Sequence, residues 1–409
     1  MALDRSLPGI QALKHVVVLM LENRSFDHML GALKAAHPNI DGLTGTESNP
    51  DSTEADITVQ PKAMFRGQLL PDPHHDFASV DAQLFSGVSG PNRQPNMQGF
   101  IRAYHTQQPK VDASHAVIYH FSADPPNNLP VLHGLATEFA VFNRWFASIP
   151  GPTLCNRAFA HYGTSFGNVG MDPFYVGVKF KSIYERLTAA GHTAKLYYYD
   201  ETSSTLEVVN LFQEQAQLFG TWPDFLAACD SNQLPQYSFI EPNYKDHLDS
   251  NGQKLFATDQ HPDNDVRAGE DFIADVYNRI RNNPDLWPNT AMLLVYDEHG
   301  GIYDHVPPPA LDPASLDGFV AQPSATGTPD AFHFDRLGVR VPAILISPWV
   351  AAGSVIDETF EHASIPATLT ELLIPDFAPT GRSAREAAAN TFLDHLTLTT
   401  MRTDCPIFS

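Results

Sequence analysis

Two apolar runs of the sequence end in the same way, with acidic and amide side chains. One run is followed by Glu22-Asn23 and the other by Asp297-Glu298. In an open parallel sheet, ligands bind beyond the carboxyl ends of the strands, where these residues would present three carboxylates and one amide oxygen to a single point. Such hard oxygen ligands suit a divalent cation, and crowded carboxylates are unfavourable without one. The alternative is that each acid is an ordinary turn residue or helix cap.

A third polar motif runs from Gly151 to Arg157 and leads into a helix that is predicted to begin at Ala158. Thr153 lies at the turn into that helix, where unpaired backbone N–H groups and the positive end of the helix dipole favour an anion. Arg157, one helical turn later, can add a bidentate contact to phosphate. If Thr153 faces the metal ligands, the metal would activate its hydroxyl as a nucleophile. The alternative has Thr153 as an N-cap, and Cys155, which lacks a defined base, is expected to pack as a small apolar residue.

Histidines next to acids are the remaining candidates for chemistry. Such a histidine is suited to general-acid catalysis or to supporting a metal ligand. Any single pair can equally be a surface or structural feature, so the pattern argues for the group and not for one member. The sequence contains five pairs in polar, non-periodic surroundings: His74-His75-Asp76, Asp246-His247, His261-Pro262-Asp263, Asp304-His305 and Glu361-His362.

Strands that alternate with helices must position these residues. Near-continuous apolar runs are typical of parallel strands covered on both faces, and their alternation with helical segments predicts an α/β fold with a layered sheet. The predicted strands are His15–Leu21, Ala194–Tyr199, Gln236–Ile240, Ala291–Tyr296 and Ala343–Ile346. The predicted helices are Ser182–Ala190, Val208–Leu218, Asp265–Arg281 and Ile365–Leu373.

Two irregular regions interrupt this alternation. One runs from about Pro38 to Asn128 and is rich in Pro, Asp, Ser, Asn and His; the other runs from Pro307 to Phe334. Long irregular segments in a compact enzyme are usually functional loops or lids. We expect both regions to be excursions from one sheet that cover its active edge, within a single domain of residues 1–409.

Composition narrows the classes of function. The 409-residue chain is 43% hydrophobic and has 25 basic against 47 acidic residues, a formal net charge of −22. This balance argues against a nucleic-acid partner, because that binding is largely basic charge meeting phosphate. The three cysteines cannot form a disulfide framework, which predicts a reducing compartment. No apolar run reaches the roughly 18–20 residues of a membrane span, and the apolar start resembles a strand more than a signal peptide, so a cytoplasmic location is favoured over export.

The same motifs carry a family resemblance. The segments ENRSFDH at 22–28 and DEHGGIYDHV at 297–306 resemble the two long signatures of the phosphoesterase family that contains non-specific phospholipases C and certain acid phosphatases. The segment EPNY at 241–244, His261-Pro262 and Glu361-His362 resemble further blocks, so the resemblance extends from about residue 13 to 375. It implies an alkaline-phosphatase-like fold, a three-layer α/β/α sandwich around a mostly parallel sheet.

The resemblance also implies roles for individual residues. The residues implied in binding one divalent metal, for which Ca²⁺ and Zn²⁺ both fit, are Glu22, Asn23, Asp297, Glu298 and the nucleophile Thr153. The residues implied in contacting phosphate or the leaving group are Asn156, Arg157, His75, His247 and His261. The chain departs from phospholipase-type members at Leu154-Cys155, where they typically carry a polar residue and a proline, which loosens the argument about this turn.

The leading hypothesis is a metal-dependent, non-specific phospholipase C that releases diacylglycerol and the phosphorylated head group through a phosphothreonine intermediate. The alternatives are a broad acid phosphatase acting on monoesters and a non-catalytic module that binds phosphoesters. The expected partner is a phospholipid or small phosphate ester, with at most peripheral membrane contact. The negative charge would repel anionic bilayers and favours zwitterionic lipid or soluble substrates. An exposed apolar rim would favour lipid, and Met64-Phe65 and Phe85 are candidates for it.

Overall fold

A computed structural model gives the structure of residues 3–90, 93–172, 180–199, 216–249, 251–376 and 381–408. The strands are β1 His15–Leu21, β2 Ser48–Pro50, β3 Asp56–Thr58, β4 Ala140–Phe142, β5 Trp145–Phe146, β6 Ala194–Tyr198, β7 Phe219–Thr221, β8 Tyr237–Ile240, β9 His247–Leu248, β10 Lys254–Leu255, β11 Thr290–Tyr296, β12 Ala343–Ile346, β13 Val355–Ile356 and β14 Phe360–Glu361. The helices are α1 Pro8–Ala12, α2 Phe26–Leu30, α3 Phe77–Phe85, α4 Phe100–His105, α5 Val111–Ser114, α6 Pro130–Glu138, α7 Thr153–Tyr162, α8 Ile183–Ala189, α9 Trp222–Asp230, α10 Val266–Arg281, α11 Pro323–Thr326, α12 Ser364–Leu373 and α13 Ala384–Ala388.

The central sheet in these ranges has eight strands in the order β13-β4-β12-β11-β1-β8-β6-β7. The strands from β11 to β7 are parallel, whereas β12 runs antiparallel to both β11 and β4. β1 and β11 lie side by side near the middle and are almost entirely buried, which is why both are continuous apolar runs. The predicted α/β fold with a mostly parallel sheet is confirmed.

Helices cover both faces of this sheet. One group consists of α7, α8 and α12, and another of α6, α9 and α10, each packed together. Phe239 of β8 contacts His161 of α7. Tyr197 of β6, one step from the residue paired with Phe239 and hence on the other face, contacts Phe225 of α9. The sheet is therefore the middle layer of an α/β/α sandwich, as predicted.

The start predicted at Ala158 was wrong, because helix α7 already begins at Thr153. The other predicted elements agree with the structure to within one residue at their ends where the structure describes them. Ser182 and Asp265 are N-caps, so helices α8 and α10 begin one residue later than predicted. The prediction for Val208–Leu218 falls mostly on residues 208–215, outside the described ranges, and its last three residues form a 3-10 turn. The expectation that Ala343–Ile346 is parallel was wrong, because burial on both faces gives an antiparallel strand the same apolar pattern.

The two excursions contain more regular structure than the sequence indicated. The region from Pro38 to Asn128 includes β2, β3 and α3 to α5, whose apolar side chains form a separate small core with residues such as Ile302 and Val339. Gln83 of this region pairs with His299 at 2.8 Å, close to the acidic residues that follow β11, and coverage of the whole active edge stays a prediction. That the chain forms a single domain stays a prediction. Within the described ranges, no helix combines the length and apolar character needed to cross a bilayer.

Candidate active site

The two acidic strand ends meet at one edge of the sheet. β1 and β11 pair in parallel with Leu21 opposite Tyr296, so the residues that follow them leave the sheet side by side. Asp297 Oδ1 accepts a hydrogen bond from the backbone N–H of Asn23 at 3.1 Å. All four predicted ligands at these strand ends are buried. The acidic and amide residues that follow β1 and β11 therefore lie together, as expected for the carboxyl ends of neighbouring parallel strands.

The hydroxyl of Thr153 lies against the end of β1. Thr153 is the first residue of α7, with Pro152 as the N-cap, so it is not the capping residue of the alternative interpretation. Its Oγ1 donates to Asn23 Oδ1 across 3.4 Å. Asn23 has a left-handed φ of 58°, a conformation that asparagine tolerates better than most residues. The proposed nucleophile and one proposed metal ligand are thus in direct contact.

Asn156 stabilises the turn that carries Thr153. Its Oδ1 accepts from the N–H of Ile149 at 3.0 Å, and its Nδ2 donates to the carbonyl of Gly151 at 2.8 Å. Both polar ends of this fully buried side chain are engaged by backbone. Asn156 therefore positions the turn in this structure, which differs from the phosphate contact that the family resemblance implies.

Arg157 is surrounded by carboxylates. Its Nε donates to Asp297 Oδ2 at 3.0 Å, and its two terminal nitrogens lie 3.4 Å from Glu22 Oε1 and 3.6 Å from Glu241 Oε1. Burial opposes the charge, but Tyr244 and the three carboxylates raise the pKa of Arg157 above its usual value. The guanidinium is a permanent cation that holds the strand-end carboxylates together, where the sequence predicted a bidentate contact to phosphate.

Two of the three predicted histidines reach the same edge and meet on Asp72. His75 Nδ1 lies 3.7 Å and His261 Nε2 lies 3.6 Å from Asp72 Oδ2. His75 Nε2 is also 3.4 Å from the Asn23 amide nitrogen and 3.7 Å from Glu298 Oε1. Asp72, His75 and His261 offer ligand atoms that all lie within 4.8 Å of one another, so this group could also hold a cation.

The surrounding carboxylates bias both imidazoles toward the protonated form. Burial alone would lower their pKa values. Glu298 and Asp72 nevertheless raise the pKa of His75 above its ordinary value. For His261, the hydrogen bond to Asp263 and the nearby Asp72 raise the pKa to about 10. His261 is therefore protonated at neutral pH, and both side chains are suited to donate a proton.

Burial outweighs the positive charge of Arg157 at the strand-end carboxylates. Burial raises the pKa of Glu22 well above its ordinary value and also raises the pKa of Asp297. Burial likewise raises the pKa of the neighbouring Asp259 to about 7. Crowded, buried carboxylates with these shifts are the groups that a bound cation stabilises.

Glu298 provides the sharpest test of whether a metal fits. Burial opposes its charge, but His75 and His299 lower the pKa of Glu298 below its ordinary value, so it is ionised. Its Oε1 is buried and has no hydrogen-bond partner among the described residues. A free carboxylate oxygen, the Asn23 amide oxygen and the Thr153 hydroxyl form an all-oxygen donor set, which fits a hard divalent cation.

His247 is the third predicted histidine, and the structure places it on the hairpin formed by β9 and β10. Its Nδ1 pairs there with the carbonyl of Lys245 at 2.9 Å. The hairpin adjoins the site, but a contact between His247 and phosphate stays a prediction.

Behind the site, a buried ion network joins the two signature segments. Arg340 is fully buried and donates to Asp27 at 2.9 Å and to Asp304 at 3.1 Å. His305 Nδ1 lies 2.7 Å from the other oxygen of Asp27. Asp27, Asp304 and His305 are close enough together to bind a metal. Because Arg340 already supplies the positive charge, this group is a structural connection between the segments.

Two other residues considered in the sequence analysis, His362 and Cys155, make contacts that stabilise the structure around the site. His362 Nε2 donates to the carbonyl of Asp297 at 2.5 Å and its Nδ1 accepts from Trp145 at 3.3 Å. Burial lowers the pKa of His362 to about 4, so this neutral ring orients the Asp297 peptide. Cys155 is buried and its thiol donates to the carbonyl of Gly170 at 3.1 Å. Burial raises the pKa of Cys155, in keeping with the expected packing role.

Comparison of the chain with known proteins identifies its family. Residues 13–373 match the Phosphoesterase family. The chain belongs to the phosphoesterase family. It is 38% identical to non-specific phospholipase C1 of Arabidopsis thaliana, over 96% of this chain and 73% of that protein. It is 26% identical to phospholipase C A of Mycobacterium tuberculosis (strain CDC 1551 / Oshkosh), over 87% of this chain and 72% of that protein. This phosphoesterase is therefore a hydrolase of phosphoric esters.

The alignments with solved structures are weaker. The lipoteichoic acid synthase LtaP from Listeria monocytogenes aligns with a TM-score of 0.45 at 10% identity, over 97% of this chain and 79% of that one. A protein of the alkaline phosphatase superfamily from Vibrio parahaemolyticus aligns with a TM-score of 0.36 at 13% identity, over 60% of each chain.

The phosphoesterase site includes acidic residues to which the sequence analysis assigned no role. Glu241 follows β8 directly, the strand next to β1, and so carries the same signal of an acid after an apolar run. Asp259 is held to the site because its carbonyl accepts the N–H of Glu22 at 2.9 Å. Asp72 lies in the long excursion between two prolines, where no periodic pattern marks it.

Proposed function

We propose that this phosphoesterase is a metal-dependent phospholipase C that uses Thr153 as its nucleophile. The main support for the proposal is the contact of 3.4 Å between the Thr153 hydroxyl and Asn23 Oδ1. This contact lies at the ends of β1 and β11, where the buried carboxylates also lie. Phosphoryl transfer needs an activated oxygen and a positive environment for phosphate, and a hydroxyl at a helix N-terminus beside a metal ligand has both. The relatives at 38% and 26% identity, both named phospholipases C, support the choice of a phospholipid substrate.

The proposed metal ligands are Glu22, Asn23, Asp297, Glu298 and Thr153. Their oxygen donors favour a hard ion such as Ca²⁺, and Zn²⁺ is also compatible with carboxylate ligands. When bound, the ion would lower the pKa of the nucleophilic hydroxyl and offset the charge on the phosphoryl oxygens. Arg157 contributes by keeping the carboxylates of Glu22 and Asp297 in place, at the distances of 3.4 and 3.0 Å given above.

The reaction then proceeds in two steps at Thr153. Thr153 Oγ1 releases its proton to solvent and forms a bond to phosphorus, while the bond from phosphorus to the glycerol oxygen breaks on the opposite side. The glycerol oxygen takes a proton and diacylglycerol leaves, so the head group remains on Thr153 through its phosphate. Water then attacks phosphorus and gives one proton to the group that protonated the glycerol oxygen. The bond to Thr153 Oγ1 breaks, Thr153 Oγ1 takes a proton back from solvent, and the phosphorylated head group is released.

His75 is the strongest candidate for the proton donor. A glycerol oxygen is a poor leaving group as an anion, so it needs a general acid. His75 lies 3.4 Å from the amide of Asn23, the residue that touches Thr153, and its pKa is raised by Glu298 and Asp72. After giving up its proton, the same ring can take a proton from the attacking water. His261 supports it from the other side of Asp72.

The test compares two substrates and two variants of one residue. Purified protein is incubated with phosphatidylcholine vesicles or with a soluble aryl phosphate monoester, and the products are identified by phosphorus NMR. We expect the wild-type protein to release phosphocholine without free phosphate. The Thr153→Ala variant and chelation of the metal should abolish this release, whereas Thr153→Ser, which keeps a hydroxyl, should retain part of it.

Three other results would overturn the proposal. Free phosphate from the monoester alone would make the protein a phosphatase. Unchanged hydrolysis by Thr153→Ala would exclude Thr153 as nucleophile. Absence of both activities from metal-loaded protein would favour a binding module.

A further inference from the structure

A hairpin with exposed apolar side chains projects from the active site. The chain leaves the site after Glu241, forms β9 and β10, and returns at Asp259. Both ends of this excursion are anchored in the site, since Glu241 faces Arg157 and the Asp259 carbonyl binds the backbone of Glu22. Leu248 and Phe256, which are 64% and 50% exposed, lie on or next to the hairpin strands.

A second loop lies beside this hairpin. Met64 is 56% exposed and belongs to the segment that leads to Asp72 and His75. Arg66, two residues later, lies 3.7 Å from Asp246 at the base of the hairpin. Phe65 is partly buried and packs against the main core, so Met64 is the exposed member of the predicted pair. The ion pair between Arg66 and Asp246 therefore holds the two loops side by side, and both loops lead to residues of the site.

Cationic side chains accompany these apolar ones. Arg66 and Lys254 are about half exposed, and both pair with Asp246, Lys254 at 3.2 Å. Lys245 is exposed on the same hairpin, and Arg267 is exposed above the ring of Phe65. Three of these cations are balanced by acids, since Asp246 is the shared partner of Arg66 and Lys254, and Asp265 pairs with Arg267 at 2.6 Å. Apolar side chains among paired charges of both signs complement the zwitterionic headgroup layer and the acyl boundary of a bilayer.

We propose that the protein binds a zwitterionic phosphatidylcholine bilayer through an interfacial surface formed by Met64, Leu248 and Phe256. The surface deepens the proposed function and rests on it, because the site between these loops would take its lipid directly from the membrane. The net negative charge of the chain disfavours anionic bilayers, which selects the zwitterionic surface as the partner. Other exposed apolar residues, such as Val88, Val320 and Ile407, belong to separate segments.

The test separates membrane docking from chemistry. Binding to phosphatidylcholine vesicles is measured by co-sedimentation, and hydrolysis is measured on vesicles and on short-chain phosphatidylcholine dispersed as monomers. We expect the variant Leu248→Ser/Phe256→Ser to lose about 10-fold or more in vesicle binding and vesicle hydrolysis, because two side chains no longer enter the interface. Hydrolysis of the monomeric lipid is expected to stay within about twofold of the wild type, since neither side chain has a part in the chemistry.

Ile407→Ser is the matched control, because Ile407 is 61% exposed on the C-terminal segment, away from both loops. It should change neither binding nor hydrolysis. Met64→Ser tests the second loop independently if the hairpin variant is unstable. Vesicle binding that is equal in wild type, hairpin variant and control would overturn the interfacial surface. Wild-type protein that binds vesicles but hydrolyses neither lipid would overturn the proposed function and leave the surface supported.

Discussion

The substitution Gly300→Ala should lower the free energy of unfolding more than Gly191→Ala, although both glycines have a left-handed backbone conformation. Gly300 lies two residues after Glu298, beyond the end of β11, and has a φ of 64°. A Cβ atom there would lie 2.3 Å from the carbonyl oxygen of Asn23. A left-handed alanine costs roughly 1–2 kcal/mol, and an overpacked contact with backbone adds roughly 1–3 kcal/mol. The sum predicts a loss of about 2–5 kcal/mol in the free energy of unfolding.

Gly191→Ala is the matched control. Gly191 has a φ of 84°, and a Cβ atom there would meet nothing within 4 Å. This variant should lose only the cost of a left-handed backbone conformation at alanine, about 1–2 kcal/mol in the free energy of unfolding. Urea unfolding followed by circular dichroism gives the difference between the two variants, which we expect to be about 1–3 kcal/mol. Equal stabilities would refute the argument that close approach to Asn23 requires glycine at position 300.

The same pair of variants tests the connection to catalysis. To relieve the contact, Asn23 must move away from Gly300, and its amide also contacts Thr153. A displacement of about 1 Å at a reacting group can reduce turnover about 100-fold. Folded Gly300→Ala protein is therefore expected to lose about 100-fold in hydrolysis of phosphatidylcholine, while Gly191→Ala keeps wild-type turnover at temperatures where it is folded.

Three further predictions follow from buried groups. Arg340→Met leaves two buried carboxylates without their cation and should lower the free energy of unfolding by about 3–5 kcal/mol in urea titrations; an effect below about 1 kcal/mol would contradict the network. Burial lowers the pKa of His133 to about 4, so stability should fall as pH drops from about 6.5 to 4, by up to about 3 kcal/mol, and His133→Gln should reduce that slope in unfolding measured at several pH values. Cys155→Ala should keep hydrolysis within about twofold of wild type, and loss of activity in stable protein would contradict its packing role.

The sheet and the meeting of its strand ends could be predicted because they depend on local patterns. β1 and β11 are apolar at almost every position, and the acids that follow them lie together because the strands are parallel neighbours. The direction of β12 could not be predicted, since burial on both faces leaves no trace of strand direction in the sequence.

The contacts of individual side chains were less predictable. Asn156 and Arg157 are correctly placed near Thr153, but sequence order does not reveal that one binds the backbone of its own turn and the other binds carboxylates. Those partners come from distant segments, such as Glu241 after β8. Asp72 was missed because it lies in a long excursion whose path depends on packing against the rest of the chain.

The most direct test of the central claim is capture of the covalent intermediate. Protein turning over phosphatidylcholine is quenched in acid within milliseconds, digested, and analysed by mass spectrometry. We expect the peptide that contains Thr153 to carry the mass of a phosphocholine group, located on Thr153 by fragmentation, and to carry none in Thr153→Ala. Phosphocholine on a different residue, or full activity in Thr153→Ala, would contradict the claim that Thr153 attacks phosphorus.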